Sequence, residues 1–175
     1  MPPNTRPGRD EAADYYFTYI DKVGEGNILE ILRSQQLEAI RFLATISEEQ
    51  STTRSNPEQW SARQVWNHVN DGERLFVFRA VWFARGFDSP LPGFDQNIAV
   101  EYARADDYSW NSHIEEFRTI RAATNTFFAN LPEAAWTRTG TASDYPFTVK
   151  ALAYIVAGHC EHHLLKLKER FPRTV

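Results

Sequence analysis

The chain has 175 residues, a length that suits one domain able to bury a sizeable core without staples. Apolar residues make up 42% and charged residues 24%, the balance of a globular rather than a disordered chain. Nineteen Lys and Arg against 23 Asp and Glu give a net charge of −4, which speaks against a general nucleic-acid binder.

Residues 1–10 are rich in Pro and Gly and read as loose. A short extra helix over 11–23, stopped by Gly24-Glu25-Gly26, completes an N-terminal extension over 1–26. The remainder, 27–175, reads as an all-α domain of four long helices. Asn27 caps the first, over 28–47, where Ile28, Leu32, Gln35, Ala39, Phe42 and Ile46 recur at helical spacing. Residues 48–60 read as a polar loop. Ser61 and Gln64 then form a capping box that opens the second helix, which runs to Arg85 and stops at Gly86. Its stripe is Ser61, Val65, His68, Gly72, Leu75, Trp82 and Phe83.

The connection over 87–108 holds Pro92-Gly93-Phe94-Asp95 and a helical piece over 96–103. Its length is unusual for a compact domain and points to function. The third helix covers 109–131 with Trp110, Ile114, Phe117, Thr124, Phe128 and Leu131 on one side. A loop over 132–147 follows, and Thr148 caps the fourth helix, 149–170. Four amphipathic helices of about twenty residues make a four-helix bundle. The longest apolar run, 151–157, is far below the about 20 residues of a membrane span. No apolar stretch follows a basic start, so the expected location is cytoplasmic.

Histidine carries the chemistry. His159 and His163 stand one turn apart and differ by about 40° in projection, on the face that carries Leu152, Ile155 and Val156. His68 sits mid-stripe on the second helix, and Gly72 opens space one turn on. An imidazole in an apolar core needs a partner. A lone one is more often a hydrogen-bonded packing residue, but three converging from two helices fit a divalent cation, with open positions left to water. His162, about 60° off the pair, either borders the pocket or faces solvent. His113 lies off its stripe and is expected at the surface. Cys160 stands where a zincin protease needs Glu, so that reading fails. As the only cysteine, it also excludes an internal disulfide. Asp71 either supports a ligand imidazole or the metal-bound water, or is a solvated acid at the stripe edge. Arg79 and Arg121 are the basic candidates for binding an anionic thiol cosubstrate, against the commoner outcome of snorkelling stems.

Trp60-Ser61-Ala62-Arg63-Gln64-Val65-Trp66-Asn67-His68 resembles the W-S-x-x-x-V-x-x-H opening of the second helix in the DinB/YfiT superfamily. Pro92-Gly93-Phe94-Asp95 is similar to a loop of its DinB-like branch, and the stretch from Gly158-His159 to His163 to its closing G-H-x-x-x-H. The resemblance covers about 27–171. It implies an up-down-down-up bundle and a three-histidine site at His68, His159 and His163 holding zinc or nickel. It further implies a small-molecule substrate, with low-molecular-weight-thiol S-transfer as the leading activity and a homodimer as the assembly. A metal-dependent hydrolase and a non-catalytic metal- or ligand-binding stress protein are the alternatives. A transferase needs a thiol, a hydrolase turns over without one, and a binding module does neither.

Overall fold

The structure is a computed structural model that describes residues 5–172. The loose reading of residues 1–4 lies outside the described residues. The rest of the N-terminal segment packs down instead of hanging free. After a 3-10 turn at Asp14–Tyr16, α1 (Phe17–Ile20) lies on the last helix, and Ala12, Phe17, Ile20 and Val23 join the main core. The helix expected over 11–23 is thus reduced to these two short pieces.

The four long helices are α2 (Ile28–Leu43), α4 (Ala62–Ala84), α6 (Trp110–Ala129) and α7 (Val149–Arg170). Their caps are local and were legible. Asn27 Oδ1 accepts from Leu29 N, Ser61 and Gln64 form the reciprocal box, and Thr148 Oγ1 accepts from Ala151 N. The polar loop after α2 hides one more helix, α3 (Glu48–Thr52). It is opened by a second capping box, Ser47 with Gln50.

α4 packs on α6 and α7, and α2 packs on the same two, so the ring order is α2, α6, α4, α7. Partners show the sense of each pair. Along α4 and α6 the numbers climb together, from Asn70 with His113 to Glu73 with Arg121. Along α4 and α7 they oppose, with Trp60 near Arg170 and His68 near His159. α2 opposes α6, since the Leu43 carbonyl accepts from Trp110 and the Leu32 carbonyl from Arg121. α2 and α7 climb together, from Gln35 with Ala157 to Glu38 with Lys168.

The connection before α6 carries α5 (Gln96–Ala103), matching the helical piece expected there; Asp95 Oδ1 caps it by accepting from Asn97 N and Ile98 N. The segment 132–147, expected as a loop, instead contains most of a hairpin. β1 (Thr139–Ala142) and β2 (Tyr145–Thr148) pair antiparallel, joined by Ser143 and Asp144, both at positive φ (51° and 67°). Two left-handed residues between paired strands suit the primed hairpin turns, which most often use Asn-Gly or Asp-Gly; Ser-Asp hid the signal. Leu91 joins the hairpin, donating to the Thr141 carbonyl (2.9 Å) and accepting from Ser143 N (3.1 Å). That bond lays the 92–95 turn over the bundle.

Two apolar clusters fill the interior. One holds Leu32, Phe76, Phe128 and Ala157; the other holds Ala39, Val69, Phe117 and Cys160. Between them, at the same level of all four helices, lies a polar layer of Gln35, Glu73 and Arg121 against the Ala157 carbonyl.

Candidate metal centre

His68 on α4 and His159 and His163 on α7 converge, as their spacing predicts. Ring centroids are 4.8, 4.9 and 4.7 Å apart in the three pairs. One nitrogen from each ring lies within 4.8 Å of the others, inside the roughly 5 Å that ligands of a single ion can span. The His68 and His159 Nε2 atoms are 3.0 Å apart. All three side chains are buried.

The seat is made by what is missing from α4. A Cβ on Gly72 would stand 2.7 Å from His159 Cε1, so only glycine admits that ring. The space at Gly72 therefore serves His159 across the helix pair. Gly158 plays the same part on α7, where a Cβ would run into the Tyr19 carbonyl. α1 can thus lie close enough for the Tyr19 ring to meet His159 edge-on, with centroids 5.2 Å apart.

Burial sets the protonation of the triad. Desolvation, aided by the neighbouring imidazoles and Lys166, pushes His68 down to about 4 and His163 down to about 2. Burial and the adjacent histidines hold His159 well below the usual range. Three neutral imidazoles, each with a ring nitrogen within 4.8 Å of the others, are the donor set a divalent cation takes. The residues therefore fit a metal. Among the described residues no fourth His, Cys, Asp or Glu joins the group.

Two pockets flank the triad. The first, about 630 Å³, reaches His68 and His159 and is walled by Tyr16, Phe76, Phe94 and Arg79. The second, about 440 Å³, reaches His163 and is walled by Trp60, His162, Lys166 and Arg170. Tyr15, Tyr19 and Gln96 border both. The Tyr15 and Tyr19 hydroxyls are 3.0 Å apart. Burial and that bond raise the Tyr19 phenol above its ordinary value, so it stays protonated at neutral pH.

The remaining candidates divide. His162 borders the second pocket and packs edge-on against His163 and Tyr19. Asp71 accepts from Asn67 and pairs with Arg74, and it lines neither pocket. Arg79 lines the first pocket, almost fully buried. Arg121 does not reach either pocket: it is sealed in the polar layer on Glu73. Cys160 is buried beside Arg121, and desolvation pushes its thiol up to about 12, too high for a nucleophile. His113, expected at the surface, is 3% exposed, and its Nε2 lies 2.9 Å from the Ala105 carbonyl, which the chain after α5 folds back to present.

Sequence reasoning missed the three tyrosines of the N-terminal segment. Their signal was indirect: a glycine inside α7, which costs a helix roughly 1 kcal/mol, implies a close neighbour. It also misplaced the core line of α4. The buried line is Trp66, Val69, Glu73, Phe76, Ala80 and Phe83, while Leu75 and Trp82 of the expected stripe are only half-buried. Val65, His68, Gly72 and Leu75 of the expected stripe line the pockets instead, whereas its Phe83 does belong to the core.

Among solved structures the chain is similar to YfiT from Bacillus subtilis, described as a probable metal-dependent hydrolase with an unusual four-helix bundle topology. The TM-score is 0.69 at 14% identity, over 98% of this chain and 95% of that one. At that identity the likeness speaks for the fold. No curated protein matches the chain. The family model of the DinB superfamily matches residues 31–167, almost the whole bundle with all three histidines inside it, and the chain belongs to that superfamily.

Proposed function

We propose that this protein is a metal-dependent enzyme acting on small molecules, with His68, His159 and His163 holding one divalent cation, zinc or nickel. The observation that carries the reading is three neutral imidazoles converging between two pockets with no fourth His, Cys, Asp or Glu among the described residues. Structural zinc sites are usually closed by four protein ligands, whereas three with an open position is the catalytic pattern. A cation so held supplies Lewis acidity that makes a nucleophile of water or a thiol near neutral pH.

The chain's own residues then do the positioning. Gly72 and Gly158 set the His159 ring, and Tyr19 covers it from the α1 side. The Tyr15–Tyr19 hydroxyl pair offers a hydrogen-bond donor at the border of both pockets. His162 holds the wall of the second pocket against His163, and Asp71 acts on α4 through Asn67.

Low-molecular-weight-thiol S-transfer is the reaction we assign. Two pockets meeting at one centre suit two co-reactants, and Lys166 and Arg170 beside the second suit an anionic thiol. Hydrolysis is the second reading, favoured by the fold shared with a probable metal-dependent hydrolase. We also infer an up-down-down-up helix order, which the pairwise senses of the helices support. Residues 1–26 are an extension that completes the site of the 27–175 bundle. The protein is further proposed to be cytoplasmic, and no described helix is long and apolar enough to cross a membrane. A homodimer is proposed from the exposed Phe78 and Phe87 flanking Trp82; a monomer mass by light scattering at high concentration refutes it.

The test begins with metal analysis of protein purified without chelators or a nickel column. Turnover is then screened with bacillithiol, mycothiol, cysteine or glutathione plus an aryl halide, and with nitrophenyl esters lacking any thiol. Thiol-dependent turnover supports transfer, and thiol-independent turnover supports hydrolysis. His159→Ala should abolish metal binding and either activity, and full activity in metal-free His159→Ala protein removes the metal from the reaction.

A further inference from the structure

We propose that Arg79 is an anion anchor, and that the substrate of the first pocket is a small organic acid: a carboxylate on Arg79, an apolar body, and the reacting atom at the histidines. The proposal deepens the reading of the triad as the reaction centre and rests on it for the position of the reacting atom.

Arg79 is 1% exposed, yet no carboxylate of the described residues lies within ion-pairing distance of it. Its Nη2 donates to the Pro92 carbonyl (3.1 Å) and to Ser143 Oγ (2.9 Å). Its Nε is buried and donates to nothing among the described residues. Two neutral acceptors satisfy hydrogen bonds but leave the charge unbalanced, and a buried unbalanced charge is strongly unfavourable. The guanidinium is placed in the wall of the pocket that reaches His68 and His159. A ligand carboxylate supplies the missing charge.

The surroundings select the ligand further. Ser143, having accepted from the guanidinium, keeps its own hydroxyl proton to donate to a second carboxylate oxygen. One guanidinium balances one negative charge. Asp95, on the same pocket, disfavours a dianion such as a phosphate monoester. Leu75, Phe76, Tyr16 and Phe94 line the space between and suit an aryl or alkyl body. Along α4, Arg79 follows His68 by three turns, about 16 Å of rise, which the long arginine side chain shortens as it leans back toward the helix N-terminus. A carboxylate separated from the reacting atom by a ring or a chain of several carbons fits that span, and a two-carbon acid does not.

The experiment compares 4-phenylbutyrate with its neutral isostere 4-phenylbutyramide by calorimetry, on the metal-loaded full chain. The carboxylate should bind about 10-fold or more tightly than the amide, the usual margin for a charge-assisted hydrogen bond. Arg79→Met should erase that preference. Ser143→Asp, which places a carboxylate on the guanidinium at a backbone position aspartate tolerates, should erase it too. The wild-type comparison needs no variant to fold. Equal binding of the two ligands, binding of neither, or a preference that survives both substitutions overturns the proposal. The same preference measured in His159→Ala protein separates the two readings, because the anchor does not require the metal. A preference retained there, with no metal-dependent turnover in the wild type, upholds the anchor and sinks the enzyme reading.

Discussion

Arg79 and Arg121 are equally buried and differently kept. Arg121 sits where all four long helices meet. Its Nε and Nη2 clasp Glu73 at 2.8 to 3.0 Å, its Nη1 donates to Gln35, and Gln35 passes the contact on to the Ala157 carbonyl. The Arg121 charge has its opposite in Glu73, and Arg121 lines neither pocket beside the histidines. Arg79 has acceptors but no counter-charge among the described residues, and it lines the first pocket. Burial of a charged group therefore does not distinguish structure from function in this fold; the balance of its partners does. The histidines obey the same rule. His113 has the Ala105 carbonyl and packs, while His68, His159 and His163 have chiefly one another.

The comparison breaks most visibly at Glu73. Glu73→Gln leaves Arg121 buried without its counter-charge and should cost about 3–5 kcal/mol of stability by urea unfolding. A cost under about 1 kcal/mol would mean that the layer is hydrated and not closed. Next in size is acid. In the unfolded chain a histidine titrates near 6.5, whereas folded, metal-free His68 resists protonation down to about 4 and His163 down to about 2. Below pH 6.5 the unfolded state therefore takes up more protons than the folded one, and stability falls with pH. The protonation of His68 alone costs about 3 kcal/mol when fully expressed. Thermal scans of metal-free protein from pH 7 to 4 should show the loss, and His68→Gln should lessen it while leaving the share of His163.

Gly72→Ala is a smaller lever with a sharper reading. The new methyl meets the His159 ring at 2.7 Å, so metal affinity should drop about 10-fold or more while stability changes by about 1–2 kcal/mol. Competition with a chelating dye measures the first and urea unfolding the second; unchanged affinity means that His159 is not a ligand. Asp71→Asn is the smallest. Asp71 is held by Asn67 and Arg74 on its own helix, so stability should stay within about 0.5 kcal/mol, with the same dye registering less than a tenfold change.

The stripe on α4 shows what a one-dimensional pattern measures. Val65, His68, Gly72 and Leu75 recur at helical spacing, and that regularity is real. It belongs to the face that lines the pockets, and the face carrying Trp66, Val69 and Phe76 is the core. Periodicity reports that residues share a side of a helix. It does not report what that side meets.

What the residues determined alone is the local part of this protein. Caps form between neighbours two or three residues apart, and helices α2, α4, α6 and α7 follow from apolar spacing. The i, i+4 pair His159 and His163 shares a face because a helix turns 100° per residue, whatever surrounds it. Tertiary structure decided the rest, for a physical reason common to each case: the partner is far away in the chain. Tyr19 reaches His159 because Gly158 lets α1 approach, Leu91 finds the hairpin across fifty residues, and His113 is buried by a carbonyl that an intervening turn folds back. Whether a buried arginine is balanced, as Arg121 is by Glu73, or left waiting, as Arg79 is, depends on which side chain the packed bundle sets beside it.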